Sequence, residues 1–484
     1  MSYKMLLKDS LLYIPAKVLP AITTIFFISF LFRNLASSDY VAYSVIITTG
    51  LIAMQLSSGW IANSILYYFP QKQDKSVFLS DAMAVMACAG VVGTTLATLV
   101  IALHHAMGVL ACFMVLLIGQ ILFYTLASVF QSSRQIAVQL MATLIQCGTQ
   151  VGLIVIFFLI GEINLASAIF SFGAGFLLAA LYYCFKLGQA YALNTATLAT
   201  SLRNLRSANV AEIVRYGLPL TGWLCATLLL NSVDRFFLKG SGLEVAAASY
   251  ISAKDLLIGA SGLITMPLLM ASHPLIFKLM LDQKKEQAEK IVQNNIKILT
   301  LMFTVYFTAL QFSGAFFLKL FFGAKYAIDM HVLLIVLLGV FFSCVSMYTQ
   351  KGLEVARRTA LMASLAAIAA IGALISSWLL IPHFGLLGAA LAFSGSSFCY
   401  LVLVTVAATP SLKVWLHPAD LLLPAAVWLL GAALRSLMER WHGLLAPFYL
   451  LDMVWLLTFL VVVGAAVFGF LRFKKQRDTS RNEK

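Results

Sequence analysis

Lys254 and Asp255 stand side by side in SYISAKDLLI at 249–258, inside an apolar stretch with almost no other charge. An ammonium is a compact point charge and suits a phosphate oxygen. Tyr250 lies four residues before Lys254, so on a helix the two share a face. Asp255 is rotated by about 100° and addresses a different neighbour. Two readings stand. Either Lys254 binds a phosphate-bearing ligand with Tyr250 and Asp255 nearby, or the charges form structural pairs, such as Lys254 with Asp234 or Asp255 with Lys17. Lys17 is a second candidate ligand, set between Pro15 and Pro20. Two prolines so close are expected to kink or unwind the helix, turning the cation and freed carbonyls toward a cavity. The alternative is snorkelling to headgroups.

Asp234 and Arg235 lie in NSVDRFF at 231–237, and Arg33 holds the matching place earlier in the chain. They suit an interfacial ion pair or a gate, or else simple interfacial solvation. Pro219, Pro267 and Pro274 fall where bends in gating helices would serve. The seven cysteines lie in apolar runs and form neither a disulfide framework nor a metal motif. His104 and His105 lack carboxylate or cysteine partners, so no metal is expected. A phosphate-binding GxxxxGK[ST] loop and a Ser-His-Asp arrangement are both missing. No acidic pair sits in a long loop, where a lipid-linked-sugar transferase needs one. A transporter is therefore expected rather than an enzyme, with no cofactor. Its energy would come from an ion gradient, the membrane potential or consumption of the cargo.

The elements that position these residues follow from composition. Of 484 residues 61% are hydrophobic and 11% charged, with a mean hydropathy of +0.94. Apolar runs of 20 or more residues cross about 30 Å of hydrocarbon as helices. The expected class is an all-α polytopic membrane protein with fourteen spans, at 10–33, 41–69, 81–103, 107–130, 136–160, 165–187, 214–238, 246–278, 295–320, 329–350, 359–381, 385–408, 418–437 and 449–472. With the N-terminus inside, most of the 33 Lys and Arg residues fall in inside loops and tails. That places both termini in the cytoplasm and accounts for the +14 charge without nucleic acid. Lys254 then lies eight residues into the eighth span, roughly 12 Å deep. A lipid-facing charge there costs about 2.5–3.5 kcal/mol, so Lys254 must face protein or water.

Two longer inside loops are expected. One, near 188–213, offers Leu202, Leu205, Val210 and Ile213 as the greasy side of an interfacial helix. The other, near 279–294, holds DQKKEQAEK. A repeat offset by about 200 residues relates Pro20, Arg33, Asp39, Tyr43 and Pro70 to Pro219, Arg235, Glu244, Tyr250 and Pro274. The expected organisation is a six-helix bundle at 1–190, a linker at 191–213, a second six-helix bundle at 214–408, two further spans within 409–472, and a basic tail at 473–484.

Five segments resemble a known family: VRYGLPLTGWL at 214–224, NSVDRFF at 231–237, SYISAKDLL at 249–257, FFGAKYAIDMHVLL at 321–334 and IPHFGLLGAALAFSGS at 381–396. They are similar to motifs of the polysaccharide transporters and oligosaccharide flippases within the multidrug/oligosaccharidyl-lipid/polysaccharide superfamily. The resemblance covers most of 10–408. It implies two bundles around a central cationic cavity, alternating access, and export of undecaprenyl-pyrophosphate-linked oligosaccharide across the bacterial inner membrane for surface polysaccharide. A polysaccharide polymerase and assembly proteins would be partners. One alternative is a drug or cation antiporter of the same superfamily, which would prefer an acidic cavity. The other is a membrane-embedded glycosyltransferase or ligase.

Overall fold

The structure, a computed structural model, describes residues 3–103, 107–191, 200–202, 205, 207–326, 328–414, 418–441 and 452–464. For residues 3–17, and for Ala271, Pro274, Ala324, Arg440 and Trp441, it describes the backbone alone. Among these residues the chain forms fourteen helices and no strand. They are α1 Tyr3–Asn34, α2 Ser37–Gln71, α3 Lys75–Ala102, α4 Met107–Ser132, α5 Ile136–Leu159, α6 Leu165–Tyr191, α7 Ala208–Leu238, α8 Glu244–Leu281, α9 Lys285–Phe322, α10 Met330–Val355, α11 at 359–384, α12 at 386–408, α13 Leu422–Trp441 and α14 Asp452–Gly464. Gly385 separates α11 from α12 with a φ of 55°, a conformation that favours residues without a Cβ. Most of these helices are long and apolar enough to cross a bilayer, so the chain is a polytopic α-helical membrane protein.

Two loops differ from expectation. The segment DQKKEQAEK is mostly helix, because Lys, Glu, Gln and Ala are good helix formers and α9 starts at Lys285. The 409–413 turn secures that extension: Lys285 donates to the Pro410 carbonyl at 3.0 Å, and the Lys413 amide donates to Glu289 at 2.8 Å. Only 282–284 remain as a connection. Val210 and Ile213 do not lie on an interfacial helix either. Ser207 caps α7 by accepting the Val210 amide at 3.3 Å, so α7 starts at Ala208 and buries both residues in the core. Leu202 and Leu205 stay exposed.

Within the first six helices α4 packs tightly on α6, where a Cβ on Gly173 would come within 2.7 Å of the Leu116 backbone. Within the next six, α7 packs on the α11–α12 pair, and α12 also packs on α10. The seam between these sets is made by α1, α2 and α3 against α7, α8 and α9, and the apolar core runs through it without interruption. Helices α13 and α14 attach to the outside of α9. Trp455 stacks on Phe459 and touches Phe312, and Trp455 Nε1 donates to the Gly431 carbonyl at 3.2 Å. One departure in α2 was not legible in the sequence. Residues Gln55–Gly59 form a π-helical turn, where Ser57 donates back to the Ala53 carbonyl at 2.6 Å and Ser58 to Met54 at 3.2 Å.

Candidate functional site at the seam

The last turn of α7 presents Asp234 and Arg235 to neighbouring elements, and α8 answers with Tyr250, Lys254 and Asp255. The Lys254 ammonium lies 2.5 Å from Asp234 Oδ2, and the two side chains are only 1% and 2% exposed. Tyr250, one turn before Lys254, donates its hydroxyl to the same oxygen at 2.8 Å. The ammonium also sits 3.7 Å from the centroid of the Phe393 ring of α12. Burying two ions costs several kcal/mol each, and such a pair persists only when geometry and further hydrogen bonds offset that cost. Here the hydroxyl and the aromatic face provide them.

The second pair is more open. Arg235 Nη2 donates to Asp255 Oδ1 at 2.7 Å, and Nη1 lies 3.4 Å from Oδ2. The Asp255 side chain is 25% exposed. Arg235 Nη1 also donates to Ser44 at 2.8 Å and Thr48 at 3.1 Å, one helical turn apart on α2. Arg235 therefore bridges the two sets of helices. Its Nε is buried with no acceptor among the described residues. The four charges sum to zero.

Arg33 lies elsewhere on the same end of the seam. Its Nε donates to the Phe321 carbonyl at 2.8 Å, and Nη2 donates to the Leu320 carbonyl. In return Lys325 donates to the Leu35 carbonyl at 2.5 Å, and Phe32 meets Phe322 edge to face at 5.0 Å. Each cation thus covers the carbonyl end of a helix from the opposite set, where helix dipoles favour positive charge. The opposite end of the seam is tied by Lys72 to Glu212 at 2.5 Å, by Ser64 to the Ile213 carbonyl at 2.9 Å, and by Tyr67 stacked on Tyr216 at 4.6 Å.

Of the sequence candidates, Lys254, Tyr250, Asp234, Arg235 and Asp255 form one cluster, and Arg33 stands apart from it. Asp255 pairs with Arg235. The side chains of Lys17, Pro15 and Pro274 lie outside the described residues. α1 remains helical through Pro20, whose carbonyl accepts Thr24 Oγ1 at 2.8 Å, so the expected unwinding there is not seen. Pro219 lies inside α7 and Pro267 inside an uninterrupted α8. Sequence reasoning missed Ser44 and Thr48, whose four-residue spacing puts them on one face of α2 without showing which helix that face meets. It also missed Phe393 and Lys325. A second polar chain escaped it as well: Trp223 donates to Tyr400 at 3.0 Å, Tyr400 to Gln350 at 3.0 Å, and Gln350 and Lys351 to Glu354 at 3.3 and 2.8 Å. No group of three or more His, Cys, Asp or Glu among the described residues is arranged to hold a metal ion.

No family model matches this chain, and no curated protein does. Solved structures do share its fold. A lipid II flippase, MurJ, in an inward closed conformation superposes with a TM-score of 0.72 at 13% identity, covering 96% of this chain and 99% of its own. An inward-facing multidrug resistance transporter of the MATE family and MOP superfamily superposes with a TM-score of 0.57 at 13% identity, covering 83% of this chain and 94% of its own. The eukaryotic MATE transporter AtDTX14 gives 0.53 at 14% identity, covering 83% and 93%. The fold is therefore that of the MurJ and MATE transporters.

Proposed function

We propose that this chain is a flippase that moves an undecaprenyl-diphosphate-linked oligosaccharide across a bacterial inner membrane for surface polysaccharide assembly. In this reading both termini are cytoplasmic, the two six-helix bundles at 1–190 and 214–408 rock about the seam, and a polysaccharide polymerase with its assembly proteins takes the product. The chain acts as a transporter without a cofactor, and its energy comes from an ion gradient, the membrane potential or downstream consumption of cargo. The observation that carries the proposal is the cluster of Lys254, Arg235 and Tyr250, whose donors converge at the seam on two carboxylates. An arginine fork on a partly exposed carboxylate, with a buried lysine pair fixing its helix, is a donor arrangement for a diphosphate. Screening that charge is what allows a diphosphate past hydrocarbon. In this reading Lys17 of α1 is a further cation for the headgroup. The fold shared with a lipid II flippase over nearly the whole chain supports the same class of cargo.

A second reading has an observation of its own. Asp234 and Asp255 place two carboxylates in the cluster, which suits a drug or cation antiporter with the MATE fold. Reconstitution separates the two. Proteoliposomes holding the purified protein should move a fluorescent polyprenyl-diphosphate oligosaccharide between leaflets, and K254A and K17A should each slow that movement per folded molecule. Normal movement in both variants would remove those lysines from the site. Expulsion of an organic cation, with no movement of the lipid, would establish the antiporter instead.

A further inference from the structure

We propose that Arg235, rather than Lys254, makes the exchangeable contact with the anionic headgroup, and that Asp255 holds the headgroup's seat until it arrives. This rests on the anionic cargo of the preceding section and assigns the division of labour within its site. The two ion pairs differ in their access. Lys254 and Asp234 are sealed, at 1% and 2% exposure, with Tyr250 and Phe393 closing around them. A counter-ion there has nowhere to go. Asp255 is 25% exposed and can swing away from its partner without crossing the core.

The geometry of Arg235 adds three arguments. Its fork meets both oxygens of Asp255, at 2.7 and 3.4 Å, the two-pronged contact that a phosphoryl group also accepts. Its Nε–H has no acceptor although it is buried, and an unmet buried donor costs about 1–3 kcal/mol. A carboxylate offers two oxygens on one carbon, whereas a diphosphate esterified at both ends still offers four non-bridging oxygens on two phosphorus atoms, so the exchange supplies the acceptor that the resting site lacks. Finally, Nη1 is held by Ser44 and Thr48 of α2. The headgroup thus replaces a ligand on a residue that hydrogen-bonds to both sets of helices.

The charges favour the exchange. With Asp255 in place the cluster is neutral. With Asp255 displaced, Arg235 has an uncompensated positive charge, while Lys254 remains balanced by Asp234. A diphosphate and Asp255 cannot share the fork, because like charges so close repel strongly.

The test measures binding of two probes to the full-length protein in nanodiscs, inorganic pyrophosphate and farnesyl diphosphate. D255N removes the competing anion and should tighten binding about tenfold, the change that about 1.4 kcal/mol produces. R235M should lose at least ten times as much affinity as the doubly neutral D234N/K254M. R235M/D255N, which leaves no orphaned charge, repeats the loss where R235M alone elutes as aggregate. Tightening toward both probes assigns the seat to the diphosphate itself, and tightening toward farnesyl diphosphate alone assigns it to a lipid headgroup. If wild type binds but D255N binds no tighter, or if D234N/K254M loses more than R235M, the exchange at Arg235 is wrong and the anionic cargo stands. If wild type binds neither probe, the anionic cargo falls, and the exchange falls with it.

Discussion

Removing the Lys254 ammonium should destabilise the protein far more than removing both members of its pair. K254M leaves Asp234 charged at 2% exposure, and breaking a buried pair by deleting one partner costs about 3–5 kcal/mol. Asp234 would keep the Tyr250 hydroxyl at 2.8 Å and the Arg235 amide at 3.0 Å, which sets the expectation at the lower end, about 3 kcal/mol. D234N strands the ammonium instead, with the Phe393 face as its remaining support, and should cost a similar amount. D234N/K254M leaves no charge behind and should cost about 1 kcal/mol or less, as replacement of buried pairs by neutral groups generally does. The three variants and wild type form a double-mutant cycle, read by unfolding in mixed detergent micelles or by the order of apparent Tm. The expected coupling is several kcal/mol, with the double variant more stable than either single. Single losses below about 1 kcal/mol that simply add would place the pair in contact with water, as for exposed ion pairs, and refute the sealed half of the cluster.

Two further outcomes follow from contacts remote from that pair. R33A/K325A removes both cations that cross the seam to opposing helix ends; such hydrogen bonds contribute about 0.5–1.5 kcal/mol each. A cysteine placed at Ile28 in a background without native cysteines should then react about tenfold faster with a membrane-impermeant maleimide, the change expected for about 1.4 kcal/mol. An unchanged rate would mean that this clasp does not hold the seam closed. Y400F orphans Trp223 Nε1 and Gln350 Oε1, and should lower stability by about 2 kcal/mol at the scale of one or two unmet buried groups. Equal unfolding of Y400F and wild type would show that those groups find other partners.

Fourteen helices were legible because each apolar run is long enough to span a bilayer and is bounded by charge, proline or glycine. Helical extensions beyond the apolar runs were less so. Hydropathy ends at charge, whereas the helix formers of DQKKEQAEK carry α9 on past the apolar run. Lys254 announced itself because an intramembrane charge is costly and must be compensated. Its partner was visible as one of several possibilities, since sequence spacing fixes which face a residue takes but not which helix it meets. Ser44, Thr48 and Phe393 were harder to see. A serine, a threonine or a phenylalanine is ordinary in an apolar helix, and only the packing of α2 and α12 against α7 and α8 gives these three a polar task.

The internal repeat gains a physical meaning from where its arginines reach. Arg33 and Arg235 occupy matching places at the ends of α1 and α7, and each crosses the seam. Arg33 runs from the first set of helices to the carbonyl end of α9, and Arg235 from the second set to the hydroxyls of α2. The two contacts are unequal. Arg33 is exposed and meets backbone carbonyls, a modest tie that water can replace. Arg235 is buried, shares its fork with Asp255 and leaves one donor unmet, so water does not readily take the place of its partners. Separating the helices at this end requires both arginines to let go. The exposed one can do so thermally. The buried one requires a replacement ligand, which makes the α7 arginine the member of the repeat at which a bound anion can control the seam.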